Sequence, residues 1–227
     1  MTDLPSPIPD QAQEVIIETW ETGAKSVANY VLDGQRVGRR GWNETGQLDM
    51  EYGVRDERMH GWYRTWHENG QLCEMTWYEQ GQEHGTNKQY DEQGNLIGTY
   101  TMVHGTGVDL WFAKPGVITE ERHYQGGAHH GYERWWTGDN QTISEESHFW
   151  HGVEHGIFRE WNEAGRLRRG YPSYFVSGNR VNKRQYMRAC QQDPTLPPFS
   201  ADDNVPTRQL PDGVKQGIQL KEPENSS

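Results

Sequence analysis

Apolar and polar residues alternate over short stretches along most of the chain, and this pattern predicts β-strands. In residues 61–67 (GWYRTWH) and 72–78 (LCEMTWY), large apolar side chains alternate with polar or small ones. Between these stretches, Glu68-Asn69-Gly70 predicts a three-residue hairpin turn, with glycine at the position that needs a positive φ. Each pair of stretches therefore predicts a β-hairpin, and consecutive hairpins predict an antiparallel meander.

The hairpin pattern repeats along the chain at an interval of about 22 to 25 residues. Each copy opens on a glycine, and these are Gly38, Gly61, Gly85, Gly107, Gly131 and Gly156. An aromatic residue follows in every copy, at Trp42, Trp66, Tyr90, Phe112, Trp136 and Trp161. After a turn, an apolar residue resumes each copy, at Leu48, Leu72, Leu96, Ile118, Ile143 and Leu167. With an imperfect copy before them, these landmarks predict an all-β, elongated antiparallel meander of about seven tandem hairpins over residues 14–181.

Strand geometry predicts that equivalent residues of successive copies line up across the sheet. The six aromatic residues would then form a structural aromatic column. A second column would hold Arg40, Arg64, Lys88, Leu110, Arg134 and Arg159. A three-residue turn would place Arg64 opposite Glu74, and Arg134 opposite Glu145. The basic residues either form cross-strand ion pairs or line a ligand groove. We favour the ion pairs, because maintaining the fold of each copy requires the same type of residue at the equivalent position.

Composition indicates a folded chain with an aromatic core and an uneven distribution of charge. The 227 residues include 10 Trp, 11 Tyr and 5 Phe, which compensate for few aliphatic residues because each can bury roughly 150–250 Å². The formal charge is −11, yet residues 165–190 contain seven basic and no acidic residues. The remainder of the chain therefore carries −18, which is the total charge less those seven.

The end of this basic stretch predicts a short helix. Asn182 is a suitable N-cap, and a helix within residues 182–191 would end before Asp193-Pro194. We expect this helix to cap the open end of the sheet, with Tyr186 and Met187 on its apolar side. Alternatively, its basic side binds an anionic partner, either lipid or nucleic acid, through Arg180, Lys183, Arg184 and Arg188.

Other features bear on disorder and on location. The segments 1–13 and 192–227 are rich in proline and polar residues, and we expect both to be disordered. The chain has no apolar stretch of about 18 residues, and its first residues lack the basic and apolar regions of a secretory signal. Cys73 and Cys190 make no disulfide framework, which favours a reducing, cytoplasmic setting.

No arrangement typical of a catalytic centre is present, so we predict no enzyme activity, no cofactor and no small-molecule substrate. The acidic neighbours Glu120-Glu121 and Glu145-Glu146 would point to opposite faces of a strand and could not converge on one substrate. Histidines adjoin the opening glycines, at His60, His84, His104, His130 and His155. Equivalent side chains on alternate strands lie roughly 9–10 Å apart, too far to share a metal, so we interpret these histidines as solvated turn residues.

The repeat resembles a known family. The sequence GWYRTWHENGQLCEMTWYEQGQEHG at 61–85 is similar to the MORN-repeat variant, which occurs in tandem in bacterial proteins of the YwqK antitoxin family. The resemblance covers roughly residues 15–181, although residues 104–107 shorten one copy and residues 137–142 lengthen a turn. It implies a protein that binds and occludes a cognate toxin encoded nearby. Eukaryotic MORN repeats imply the alternative of a scaffold protein associated with membranes.

The charge distribution suggests which surface such a partner would meet. An acidic body suits a partner whose active site is basic, such as a nuclease or a nucleic-acid deaminase. Acids in the middle repeats are the candidate partner-binding residues, namely Glu74, Glu120 and Glu145. We therefore expect a protein–protein interaction through the long faces of the sheet, with no catalytic step.

Overall fold

A computed structural model of the protein describes residues 5–210 and confirms the predicted all-β class, with consecutive hairpins in an antiparallel meander. The chain divides into two compact units between His104 and Gly105. No helix in the described part of the chain has the length and apolar character needed to cross a membrane.

Residues 5–104 of the first unit contain nine strands, and each main strand pairs in antiparallel fashion with the next one along the chain. They are β1 (Gln13–Thr19), β2 (Lys25–Leu32), β3 (Gln35–Trp42), β4 (Leu48–Arg55), β5 (Arg58–Trp66), β6 (Leu72–Glu79), β7 (Gln82–Glu83), β8 (Gly85–Tyr90) and β9 (Leu96–Val103). The short β7 and the following β8 both pair with β6, so they act as one strand interrupted at His84.

The second unit continues the same pattern and adds a helix. Its strands are β10 (Thr106–Lys114), β11 (Val117–Gln125), β12 (Ala128–Trp136), β13 (Ile143–Trp150), β14 (Val153–Glu154), β15 (Gly156–Glu160), β16 (Ser173–Val176) and β17 (Asn179–Val181). The helix α1 (Lys183–Ala189) begins at the predicted N-cap, Asn182, whose side chain accepts a hydrogen bond from the backbone N–H of Gln185. Tyr186 of this helix is fully buried, whereas Met187, expected on the same apolar side, is exposed.

The same turn and the same bulge recur in successive hairpins. In the hairpin of β5 and β6, the N–H of His67 donates to the carbonyl of Gln71 across the expected three-residue loop. Trp66 then pairs with Leu72, but Thr65 pairs with Glu74, so Cys73 is an extra residue. Equivalent bulges leave one extra residue in the return strand of each hairpin, at Asp49, Cys73, Ile97, Thr119 and Ser144. Each bulge shifts the register by one residue, which reverses the face of every residue after it.

The aromatic residues of the repeat lie at the turn end of the hairpins. Each one directly opposes the apolar residue that follows its turn, in the pairs Trp42–Leu48, Trp66–Leu72, Tyr90–Leu96, Phe112–Ile118, Trp136–Ile143 and Trp161–Leu167. Phe112, Trp136 and Trp161 are buried, whereas the three members in the first unit are half-buried. Within the first unit, neighbouring turns are also connected, because Gln47 Nε2 donates to the carbonyl of His67 at 2.8 Å.

Residues 5–12 lie on one face of the first unit, although the sequence predicts disorder for this segment. Ile8 is only 3% exposed and forms a cluster with Ala28 and Tyr30. A Cβ atom at Gly38 would overlap Cγ1 of Ile8, so the close approach of this segment favours glycine there. This segment is short and its apolar and polar residues do not alternate, so the sequence pattern does not indicate that it contributes to the core. Residues 1–4 of the predicted disordered segment lie outside the described residues.

Residues 192–210 are likewise ordered and lie on one face of the second unit, which corrects the predicted disorder for this stretch. Leu196 joins a buried cluster with Ile157 and Tyr186. The indole Nε1 of Trp161 donates to the carbonyl of Asn204 at 2.7 Å. This segment buries a sheet face that would otherwise be open, while the predicted disordered residues 211–227 lie outside the described part.

Candidate partner-binding surface

A row of alternating charges crosses one face of the first unit. Arg40, Glu51 and Arg64 are directly paired on three neighbouring strands. Nε of Arg40 lies 3.1 Å from Oε2 of Glu51, and Nη1 of Arg64 lies 3.2 Å from Oε1. Arg64 also donates to the carbonyl of Pro5, so the N-terminal segment covers this row. We call this arrangement, with its counterpart in the second unit, the ion rows.

The second unit contains a longer ion row, formed by Glu121, Arg134, Glu146 and Arg159. Glu146 is 2% exposed, and its oxygens lie 3.0 Å from Nε of Arg134 and 2.9 Å from Nη1 of Arg159. Arg208 adds a third guanidinium at 2.9 Å. Burial would raise the pKa of Glu146, but hydrogen bonds and charge from Arg208 and Arg134 outweigh this effect and lower it.

The ion rows correct the predicted strand register. Arg64 lies opposite Met75 instead of Glu74, and Arg134 lies opposite Glu146 instead of Glu145. The bulges at Cys73 and Ser144 shift each return strand by one residue and cause both differences. Arg64 and Arg159 are buried and paired with Glu51 and Glu146, so they hold the fold together and do not line an open ligand groove.

The opposite face of the second unit carries a row of different character. Trp111, Glu120, Trp135, Glu145 and Glu160 are each paired directly with the next across β10, β11, β12, β13 and β15. Trp111 is 36% exposed and Trp135 is 43% exposed, so both indoles reach solvent. We call these five residues the tryptophan row. Two large aromatic side chains at the surface between carboxylates are typical of a protein-binding site.

Electrostatics give the tryptophan row a negative character. Glu145 and Glu160 are directly opposite each other, and Nε of Arg168 lies 3.0 Å from Oε1 of Glu160. Burial and the charge of Glu160 raise the pKa of Glu145. Burial also raises the pKa of Glu120, which pairs with Arg122. Like charges that face each other across strands are unfavourable unless a cation approaches them.

The three acids predicted to contact a partner therefore have different environments. Glu145 is exposed, as a contact residue must be. Glu74 and Glu120 are buried, at 8% and 6% exposure, so their side chains are not available as surface contacts. Glu120 is buried although it lies in the tryptophan row, because it lies between Trp111 and Trp135 and pairs with Arg122.

The basic side of the helix is exposed. Arg180, Lys183, Arg184 and Arg188 are all open to solvent, and we call them the basic cluster. Nζ of Lys183 lies 3.6 Å from the centroid of the Phe199 ring. Within residues 5–210, no carboxylate forms an ion pair with a member of the basic cluster.

The histidines do not share one environment, and the prediction that all are solvated turn residues is wrong. His155 is buried, its Nδ1 accepts from the N–H of Ser177, and its Nε2 lies 3.0 Å from Oγ1 of Thr195. The predicted separation is also wrong for His84 and His104, because their ring centroids lie 4.3 Å apart. These two residues are on adjacent strand ends and are not equivalent positions of the repeat.

A cleft of about 410 Å³ lies at the turn end of the second unit, between Trp161 and Pro206. Glu163 and Arg168 are the ionisable residues in its lining, which contains no histidine or cysteine. Hydroxyl groups from Thr142 and Ser144 therefore have no adjacent imidazole base in this cleft.

No family model matches the chain, and no curated protein matches it.

The tryptophan row was missed by the sequence analysis, although a signal for it was present. Trp111 and Trp135 each stand one residue before a buried aromatic, Phe112 and Trp136, so strand alternation places them on the opposite face.

Proposed function

We propose that the protein is a non-catalytic, cytoplasmic binding protein that attaches to a basic protein partner through the tryptophan row. The MORN-variant resemblance supports the more specific role of a bacterial antitoxin- or immunity-like protein that occludes a toxin encoded nearby. The free thiols of Cys73 and Cys190 agree with a reducing compartment.

The observation that carries this proposal is the pair of exposed indoles on one face. Trp111 and Trp135 lie in one row with Glu120 between them, and such side chains contribute most of the binding energy in many interfaces. Five neighbouring strands present the row, so the surface extends over several hairpins. A standard interface needs about 800 Å² from each partner, which a surface of this breadth supplies.

Charge specifies the kind of partner. Arg168 already pairs with Glu160, and a lysine or arginine of a partner beside Glu145 would further relieve the repulsion between the two facing carboxylates. Such a contact forms only on binding, so it favours the complex over the free protein. We therefore expect a partner with basic and apolar residues in one patch, and an affinity that falls as salt rises.

The test is a comparison of matched surface variants. The tagged chain is used to capture its partner from the native host, and the affinity for the purified partner is then measured by isothermal titration calorimetry. Trp135→Ala and Glu145→Gln should each weaken a submicromolar affinity by about ten- to a hundredfold. Arg184→Ala with Arg188→Ala is the control and should leave the affinity unchanged. Equal affinity in wild type and the tryptophan-row variants would exclude this surface.

A second candidate function rests on the basic cluster, which is exposed and unpaired by carboxylates within residues 5–210. In this alternative the protein is a scaffold that binds anionic lipid, with nucleic acid as a further anionic ligand. Sedimentation with vesicles containing phosphatidylserine distinguishes the two. Binding that disappears with Arg184→Ala and Arg188→Ala, together with no captured protein, would support the scaffold.

A further inference from the structure

Three metal-binding side chains meet at one end of the first unit. Glu79 ends β6, His84 interrupts the strand formed by β7 and β8, and His104 follows β9. One ligand atom from each residue lies within 4.8 Å of the other two. Gly85 pairs with Met102, so His84 is placed beside the end of β9, where His104 begins the next turn.

The contacts among these three residues are too long for strong hydrogen bonds. The N–H of His104 donates to Nδ1 of His84 at 3.3 Å, and Nδ1 of His104 lies 3.8 Å from Oε2 of Glu79. Nδ1 of His84 is the acceptor in the first contact, and every neutral imidazole has one unprotonated ring nitrogen that can bind a metal. A cation among the three groups would replace weak contacts with metal–ligand bonds.

The donor set indicates which cation fits. Two imidazoles and one carboxylate suit Zn²⁺, which binds such ligands at about 2.0–2.2 Å in tetrahedral geometry. Ligand atoms in that geometry are about 3.4 Å apart, so these side chains, at a strand end and in turns, need only small movements from the observed spacing. We propose that Glu79, His84 and His104 bind one Zn²⁺ ion, with the fourth position open to water or to a side chain of another protein.

A second histidine pair in the chain provides a natural control. The rings of His130 and His151 lie 4.8 Å apart, in a similar relation to their strands. Five residues before His130 stands Gln125, where the first pair has Glu79 five residues before His84. Within the described residues, this second pair belongs to no set of three metal-binding side chains.

Calorimetry on the tag-free full chain, titrated with ZnCl₂, tests the site. We expect one Zn²⁺ per chain, with affinity lowered at least tenfold by His84→Ala or His104→Ala and about tenfold by Glu79→Gln. His130→Ala should not change the affinity. A hundredfold excess of Zn²⁺ over Kd should raise the Tm of wild type by about 5–10 °C, and that of His84→Ala much less.

A measurement on unmodified protein guards against variants that fail to fold. Co²⁺, which binds similar sites, is titrated into ¹⁵N-labelled wild type, and paramagnetic shifts should centre on residues 79–84 and 102–104. The proposal is overturned if no Zn²⁺ binds at millimolar concentration, if the folded His84→Ala and His104→Ala double variant binds as wild type does, or if the shifts centre on His130.

Discussion

Glu145 and Glu146 are chain neighbours with opposite environments, and neutralising each in turn tests the bulged register. Glu146→Gln keeps the size of the side chain but removes the charge that faces Arg134, Arg159 and Arg208. Removing one partner from a buried ion pair leaves uncompensated charge and costs about 3–5 kcal/mol. Glu145 is exposed and faces another carboxylate, so Glu145→Gln should change stability by no more than about 0.5 kcal/mol.

Urea unfolding followed by tryptophan fluorescence measures both variants. The pH dependence adds a second readout, because the pKa of Glu146 is lowered in the folded protein from its ordinary 4.5. Its stabilising contribution is therefore fully present above about pH 4.5 and is lost as pH falls through the lowered pKa of the folded state. The difference between wild type and Glu146→Gln should shrink over that acid range.

The result that would refute this reasoning is a reversal or equality of the two costs. A register without the bulge at Ser144 places Glu145 opposite Arg134, as the simple turn length predicts. In that case Glu145→Gln would be the costly substitution and Glu146→Gln the silent one. The pair of variants therefore distinguishes two registers that differ by a single residue.

Further predictions concern the two faces and the two terminal segments. Trp136→Ala should cost about 3–5 kcal/mol in urea unfolding, because the side chain is 5% exposed, whereas its neighbour Trp135→Ala should be nearly neutral. Gly38→Ala should destabilise by about 1–3 kcal/mol in the same assay, because its Cβ would collide with Ile8. Arg208→Ala should cost about 1.5–3 kcal/mol and speed proteolysis of the C-terminal segment, and unchanged proteolysis would show that this arginine does not anchor it.

The architecture was predictable because its signals are local. Turn glycines and alternating aromatic residues define each hairpin, and Asn182 defines the start of the helix. The bulges were not predictable, since the extra residues include Asp49, Cys73 and Ile97, which share no chemistry. A one-residue shift then changed the predicted partners of Arg64 and Arg134.

The terminal segments and the histidine cluster depend on contacts between residues distant in sequence. Ile8 is a single apolar residue among prolines, and nothing nearby indicates that Gly38 leaves space for it. His84 and His104 are brought together by the pairing of β8 with β9, which a comparison of equivalent repeat positions does not consider. Considering which residues lie at the ends of adjacent strands, instead of aligning equivalent positions of the repeat copies, would have revealed this cluster.

Site-specific photocrosslinking in the native host tests the proposed binding surface most directly. A photoreactive phenylalanine analogue is placed at Glu145 in the tryptophan row, and separately at Arg188 in the basic cluster as a control. We predict that irradiation joins the chain substituted at position 145 to one basic protein, and that adding Trp135→Ala abolishes this product. Crosslinking from position 188 alone, with none from position 145, would contradict binding through the tryptophan row.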